Sequence, residues 1–306
     1  VLRNHFVGAR ISVLAERRNA AVLKPAVGSI VDELLCYDNI HDVLSLLPRS
    51  FQIVIDTEQW HVLSALTGRF FARRKGFQIG FATNERAMFF SYAVPYDDEG
   101  FEGDNFFRLL EPLGIKVNPP RPYSNFYPLT EGNNNRADRV VIFPGACIKE
   151  RQWDAARFRD VARWLNSKNT DVVIVGGKED IPTSRLISDG LSRVINLAGK
   201  TSLYETAKIL ASSKLLISSD SGIMHLAVAV GTPVVALFGP GIESKWAPRD
   251  GVSIVINRRL PCSPCTRYGY TIACPRNARC IMEIGVDDVI EAANKILFEN
   301  WKWQLR

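Results

Sequence analysis

The sequence predicts an α/β protein of two domains, each built on a parallel sheet. Three observations lead there. From residue 139 onward, short apolar runs rich in β-branched residues alternate with helical segments of about 10–15 residues, the pattern of strands joined by helical crossovers and covered on both faces. The chain has 306 residues, more than one domain usually holds. Between the halves, "NPPRPYSNFYPLTEGNNNRAD" at 118–138 carries four of the sixteen prolines and a run of asparagines, with no periodicity. The expected division is therefore 1–120, a linker over 121–138, a second domain over 139–285, and a C-terminal helix over 286–306.

The first half opens on "VLRNHFVGAR", the tail of a helix, followed by a strand at Ile11–Leu14 and another helix. An α/β domain ordinarily begins with a strand, so this start reads as lacking one strand and most of one helix. "VDELLCYD" and Phe51–Ile55 are further strands, with Asp56 just past the end of the latter. "WHVLSALTGRF" has helical spacing, "GFQIGFA" is a short strand, and "DNFFRLLEPLGI" is a helix closed by Gly114.

In the second half, "RVVIFPG", "TDVVIVGG", "RVINLAG", "KLLISSD" and "TPVVALFGP" read as strands. Helices over "DAARFRDVARWLNSK", "DIPTSRLISDGL", "SLYETAKILASS" and "GIMHLAVAV" separate them. Three of these strand-to-helix junctions carry candidate chemistry, because open α/β sheets bind ligands where strands end. At "SSDSGIMHL", Asp220 or Ser219 is placed to cap a helix. Ser221 and Gly222 offer unpaired N–H groups at its positive end, a cradle for an anion, and His225 sits one turn in. Gly231 ends that helix and Pro233 starts the next strand. The same residues also suit a plain capped helix with His225 satisfied in the core.

At "FPGACIKERQW" the strand leaves through Gly145 into a loop with Lys149 and Arg151, cations suited to a diphosphate or to solvent. At "IVGGKED", Glu179 is placed to bond a ribose or to favour the next helix start. The absence of G-x-G-x-x-G argues against a dinucleotide dehydrogenase.

Composition narrows the classes. Apolar residues make up 46% and charged residues 23%, an ordinary globular balance, and 38 basic against 32 acidic residues leave a net charge of +6. That mild excess suits phosphate ligands or an anionic membrane surface. No basic stripe or reader motif for nucleic acid is present. No apolar run reaches the 18 residues of a spanning helix and the start is no signal peptide, so the expected location is cytoplasmic. Four of the six cysteines, Cys262, Cys265, Cys274 and Cys280, fall within nineteen residues. The C-x2-C pair has zinc-knuckle spacing, so a structural zinc is one expectation and disulfides the other. The tail "VDDVIEAANKILFENWKWQLR" reads as an amphipathic helix that packs across the two domains or touches a membrane surface.

Taken together, "FPGACIKERQWDAARF", "IVGGKED", "NLAGKTSLYETAKILASSKLLISSDSGIMHLAVAVGTPVVALFGP" and "CSPC" closely resemble the family 9 glycosyltransferases, the ADP-heptose:lipopolysaccharide heptosyltransferases. The resemblance implies a GT-B fold, two Rossmann-like doubly wound domains facing a cleft. It implies an inverting, metal-independent transfer of a heptose or similar sugar from a nucleotide-diphosphate donor, with ADP-heptose the expected one, to a glycan of the lipopolysaccharide core or a related lipid-linked glycan. The work would be done at the inner face of the cytoplasmic membrane, and no cofactor is required.

On this resemblance Asp220, Ser221 and Gly222 bind the donor pyrophosphate with His225 nearby. Arg151 stands where the family commonly has lysine, Glu179 approaches the nucleoside and Thr201 edges the base. The family's base, an aspartate in the first strand-to-helix loop of the N-terminal domain, has no counterpart here, so no catalytic residue is assigned and the chain reads as a fragment of an active enzyme. Asp56 resembles an acceptor-side aspartate. The rivals are a nucleotide-sugar epimerase of the same fold and a non-catalytic nucleotide-sugar-binding protein.

Overall fold

A computed structural model describes residues 1–117, 136–267 and 270–299, in two compact units that part at Pro119/Pro120. The expected linker over 121–138 lies mostly outside the described residues, and its last two residues already belong to a strand.

Unit 1 runs α1 (Leu2–His5), β1 (Ser12–Ala15), α2 (Arg17–Leu23), β2 (Glu33–Cys36), α3 (Ile40–Leu46), β3 (Phe51–Asp56), α4 (Val62–Phe71), β4 (Ala72–Phe81), β5 (Tyr92–Val94) and α5 (Glu102–Arg108). Its strands form two separate parallel sheets, β1-β2 and β3-β4-β5. Asp56 belongs to β3 and does not lie past its end. Strand β4 is longer than "GFQIGFA" suggests, because it starts directly at the end of α4. Gly114, at φ +75°, closes the short turn after α5 as its position in the sequence implies: a Cβ there would meet the left-handed backbone's steric penalty.

Unit 2 contains β6 (Ala137–Phe143), α6 (Ala155–Ser167), β7 (Asp171–Ile174), α7 (Ile181–Ser188), β8 (Val194–Asn196), α8 (Leu203–Ala211), β9 (Ser213–Ser219), α9 (Gly222–Ala229), β10 (Val234–Phe238), α10 (Glu243–Trp246) and β11 (Ile254–Asn257). A two-residue hairpin, β12 (Thr266–Arg267) and β13 (Tyr270–Thr271), follows, then α11 (Arg279–Met282) and α12 (Val286–Phe298). Six parallel strands stand in the order β11-β10-β9-β6-β7-β8. Numbered from the first strand of the unit, that is 6-5-4-1-2-3, a doubly wound Rossmann sheet. Strand β11 and the hairpin have no counterpart in the sequence reading, because their runs are short and broken by polar residues.

The apolar runs seen in the sequence are continuous because both faces are covered. Val140, Val141, Ile142, Leu215, Leu216, Ile217, Val235, Ala236 and Leu237 are all fully buried. Helix α6 begins at Asp154, whose Oδ1 accepts the N–H groups of Ala156 (2.8 Å) and Arg157 (3.2 Å). It buries Phe158, Val161, Ala162 and Leu165 on the sheet. Helix α8 carries a capping box: Ser202 N–H and Glu205 Oε2 are 2.8 Å apart, and Glu205 N–H reaches Ser202 Oγ. Helix α12 buries Val289, Ala292, Ala293 and Ile296 in the core of unit 2 itself. Trp301 and Trp303 of the tail lie outside the described residues. No described helix is long and apolar enough to cross a membrane.

Candidate active site

The six-stranded sheet changes winding direction between β6, its first strand, and β9. The loops leaving these two strands meet there. From the β6 side, Pro144-Gly145 lead into a turn over Lys149–Arg151, closed by Gln152 N–H to Lys149 C=O (3.0 Å). From the β9 side come Asp220, Ser221 and α9. Arg151 Nη1 lies 3.0 Å from Asp220 Oδ2, an ion pair across the switch point with side chains only 17% and 4% exposed.

Asp220 is not the helix cap. Ser221 takes that place, its Oγ accepting Met224 N–H at 3.3 Å and lying 3.0 Å from Ser218 Oγ. The reason is backbone geometry. The N–H of Asp220 is still bonded to Leu237 C=O (3.1 Å) in the sheet, so the chain is not yet turning into the helix. Its carboxylate turns to Arg151 instead. Burial pushes the Asp220 carboxyl above its ordinary range, against the pull of Arg151 and His225. Burial likewise pushes His225 down, against the pull of Asp220. The His225 ring meets Trp246 edge to face at 5.7 Å between centroids.

Two further features stand out at this place. Arg151 Nε and Ser219 Oγ are buried with no hydrogen-bond partner among the described residues, although buried polar groups are ordinarily satisfied. Gly222 opens α9 with space for a Cβ, so its exposed amide is approachable from solvent. An anion there would meet the helix N-terminus and a guanidinium at once.

Glu179 and Thr201 lie on the same edge, after β7 and β8. Glu179 is exposed, and Thr201 Oγ1 is 3.0 Å from Thr206 Oγ1. Lys149 is exposed beside Arg151. Gly145 contributes by its smallness: a Cβ there would overlap the Asp180 carboxylate. Asp180, given no role of its own in the sequence reading, holds this corner. It is buried, accepts Gly177 N–H at 2.9 Å and lies against both Gly145 and Gly176. The spacing Gly-x-x-Asp was its available signal. Gly241 was also missed; a Cβ there would collide with Asp220 Oδ2.

The four clustered cysteines line one cavity of about 230 Å³ with Glu150, Pro240 and Ile272. Among the described residues no three His, Cys, Asp or Glu side chains are gathered as ligands of one ion, and all four thiols are free. Cys262 is exposed, Cys274 Sγ accepts Ala278 N–H (3.3 Å), and Cys280 is drawn into the packing of α11 against Gly239. What the segment does is brace the loop after β10: Cys265 and Thr266 both donate N–H to Pro240 C=O at 3.0 Å.

In unit 1, Asp56 is buried and fully engaged. Oδ2 is 2.6 Å from Arg86 Nη2 and accepts Ser64 Oγ–H (2.9 Å), while Oδ1 accepts Glu58 N–H (2.9 Å). Arg86 is itself wholly buried and donates to Glu58 C=O. Glu58 Oε1 in turn accepts the N–H groups of Gln59, Trp60 and His61, a loop folded around two carboxylates.

Comparison with known proteins places this architecture. The model of glycosyltransferase family 9 (heptosyltransferase) matches residues 44–274, about three quarters of the chain. The chain belongs to glycosyltransferase family 9. Among curated relatives, lipopolysaccharide heptosyltransferase 3 of Escherichia coli is 26% identical over 277 residues, covering 84% of this chain and 78% of the relative. Lipooligosaccharide heptosyltransferase 2 of Haemophilus influenzae is 33% identical over 123 residues, 38% of this chain, and the match spans about a third (36%) of that relative's length. Of solved structures, E. coli ADP-heptose lps heptosyltransferase II superposes with a TM-score of 0.76 at 20% identity, covering 97% of this chain and 92% of that one. The family 9 chain thus has the fold of two Rossmann-like domains that its motifs imply.

Proposed function

We propose that this family 9 chain binds a nucleotide-diphosphate sugar, ADP-heptose, at the start of α9, and passes the sugar with inversion to a lipid-linked glycan of the lipopolysaccharide core. The observation that carries the reading is the Arg151–Asp220 pair across the β6/β9 switch point, beside the open amide of Gly222 and two unpartnered buried polar atoms. The relatives' printed names, lipopolysaccharide and lipooligosaccharide heptosyltransferases, supply the sugar and acceptor classes.

The chemistry follows from charge. Breaking the glycosyl–diphosphate bond leaves negative charge on the departing phosphate while the sugar takes on oxocarbenium character. Arg151 and the first amides of α9 are fixed where that charge develops, and Lys149 adds a second cation. Asp220 is acceptor-only when ionised, so it does not bond phosphate. It holds the guanidinium in place. Ser221, as cap, fixes the direction of the helix amides. Glu179 and Thr201 serve the ribose and base, His225 and Trp246 the wall of the pocket, and Gly145 the approach of the backbone. In unit 1, Asp56 acts on the acceptor side through the Glu58 loop it holds.

Calorimetric titration with ADP, ADP-heptose and a UDP-sugar tests the reading. ADP compounds bind in preference. Arg151→Ala and Asp220→Asn each weaken ADP by roughly 10- to 100-fold, the worth of about 1.5–3 kcal/mol for a charged hydrogen bond. Equal binding by parent and variants would sink the site. Selective binding with no sugar transfer to a heptose-acceptor glycan would favour the non-catalytic rival. An anomeric product of retained configuration would refute inversion.

A further inference from the structure

Unit 1 holds a cavity of about 210 Å³ on the edge of its sheet opposite Asp56. Arg69 of α4, Ala72, Gly76 and Gln78 of β4, Met88 and Ser91 are among the residues that line it. Asp56 ends β3, whereas Ala72 opens β4 and Ser91 directly precedes β5. In a parallel sheet those are opposite ends. A bulge makes the room: between the pairs Phe51–Ala72 and Ile53–Phe77, β4 carries three residues more than β3. The cavity therefore belongs neither to the donor site nor to the Asp56 loop.

Its polar groups are fixed but incompletely bonded. Gln78 is 1% exposed, and its Nε2 donates to Ala65 C=O at 2.7 Å, which sets the orientation of the amide. Its Oε1 is buried with no hydrogen-bond partner among the described residues, a condition that buried polar groups ordinarily avoid. Gly68 allows this close approach to α4, because a Cβ there would overlap Gln78 Nε2. Ser91 Oγ accepts Gln78 N–H at 3.2 Å and keeps its own O–H to donate. Arg69 is exposed at the cavity. Among the described residues no carboxylate pairs with it, nor with the exposed Arg73 and Lys75 that follow in β4.

The surface around these groups is apolar. Met88, itself a wall of the cavity, is 76% exposed, and Phe70, next to Arg69 on α4, is 67% exposed. Leu63, 73% exposed, and Leu66 share the outer face of α4 with Phe70 at i, i+3, i+7 spacing, while Ala65, Gly68 and Phe71 are buried on the inner face. A row of large apolar side chains beside unpaired cations complements an anionic membrane surface. The apolar chains enter the headgroup boundary and the cations meet phosphates. A soluble anion would engage the cations and leave the apolar row in water.

We propose that this face of unit 1 docks on an anionic phospholipid surface, with one headgroup phosphate held at Arg69 and a headgroup hydroxyl in the cavity lined by Gln78 and Ser91. The hydroxyl donates to Gln78 Oε1 and accepts from Ser91 Oγ–H, the two bonds those atoms lack, while the guanidinium takes the phosphate oxygens. Phe70, Met88, Leu63 and Leu66 lie at the acyl boundary, and Arg73 and Lys75 add an attraction that salt screens. Phosphatidylglycerol meets these demands with its phosphate and free hydroxyls. Phosphatidylserine, of the same net charge, has no hydroxyl. The docking is separate from the donor site and is read without any sugar transfer.

Co-sedimentation with vesicles tests this. The chain binds phosphatidylcholine vesicles containing phosphatidylglycerol roughly tenfold more tightly than phosphatidylcholine alone, and more tightly than vesicles holding the same share of phosphatidylserine. Arg69→Gln weakens the binding roughly fivefold, and Phe70→Ser with Met88→Ser weakens it by about tenfold. Those three side chains are exposed, so circular dichroism stays that of the parent. Ser91→Ala removes the preference for phosphatidylglycerol over phosphatidylserine and leaves binding to both anionic vesicles. Parent-like binding by the Arg69 variant or by the double variant overturns the proposal, as does equal affinity of the parent for the two anionic lipids. Calorimetric binding of glycerol 3-phosphate as tight as that of the vesicles also overturns it, since the ligand would then be a soluble phosphate ester.

Discussion

At the scale of single residues, the protein concentrates its chemistry where polar groups are buried on purpose. Trp153 shows the structural side of this. It is nearly fully buried, stacks edge to face on Phe158 at 4.8 Å, and donates Nε1–H to Ile284 C=O at 3.0 Å. Trp153→Ala removes both a large core volume and that bond, so a loss of about 3–5 kcal/mol is expected, read as a shift in the urea midpoint of unit 2. Glu58 shows the electrostatic side. Burial works to raise its pKa, but three backbone N–H donors prevail and hold the carboxyl below its ordinary value of 4.5. A depressed folded pKa means stability that is present above about 4.5 and lost as pH falls through the folded value. Glu58→Ala is therefore expected to cost about 1 kcal/mol at pH 7, the worth of a helix-cap carboxylate. The gap from the parent should narrow below pH 4, and a gap constant with pH would contradict this. Asp220, Ser221, Gly222 and His225 stand out in the sequence because their residue types cluster over one strand-to-helix junction, and Arg151 because it follows another. That Asp220 grips Arg151 was not legible, because the two lie 69 positions apart and only the sheet order joins them.

At the scale of elements, glycines set how closely neighbouring loops approach. The turn after β10 passes Gly241 against the Asp220 carboxylate, leaving no room for a Cβ. Gly241→Ala should therefore leave the fold intact by circular dichroism, displace Asp220 from Arg151, and weaken ADP binding severalfold. Unchanged affinity would mean that the pair does not position the guanidinium. The helix start at 221–224 illustrates why sequence reading misplaced the cap by one residue. Ser219, Asp220 and Ser221 are all good caps by composition, and the choice among them is made by Asp220 N–H, which remains in the sheet bonded to Leu237. The short strands β5 and β11 escaped notice for a related reason. Three or four residues pair as a strand when an established neighbour offers its edge, and that edge is a tertiary fact.

At the scale of the molecule, the two units differ in how far their strands are buried. The strands of unit 2 are buried on both faces, and α12 is built into its core. In unit 1 the sheet is split and large apolar side chains such as Leu14, Leu63 and Phe70 are exposed. Burial of apolar surface is the main stabilising term, so unit 1 should open first. Hydrogen exchange in increasing urea is expected to release β1 to β4 at lower denaturant than β6 to β10. A single transition for both sets would show that the units stabilise each other as one cooperative block.

The sequence by itself determined the α/β class, the break between halves and the junction at 218–225. Each depends on local pattern: hydrophobic period, turn residues, and small polar residues between a strand and a helix. Only the tertiary structure decided which junctions meet, that Asp180 packs against Gly145 and Gly241 against Asp220, and that the four cysteines surround one cavity. These depend on strand order, and strand order arises from long-range packing that no local pattern encodes.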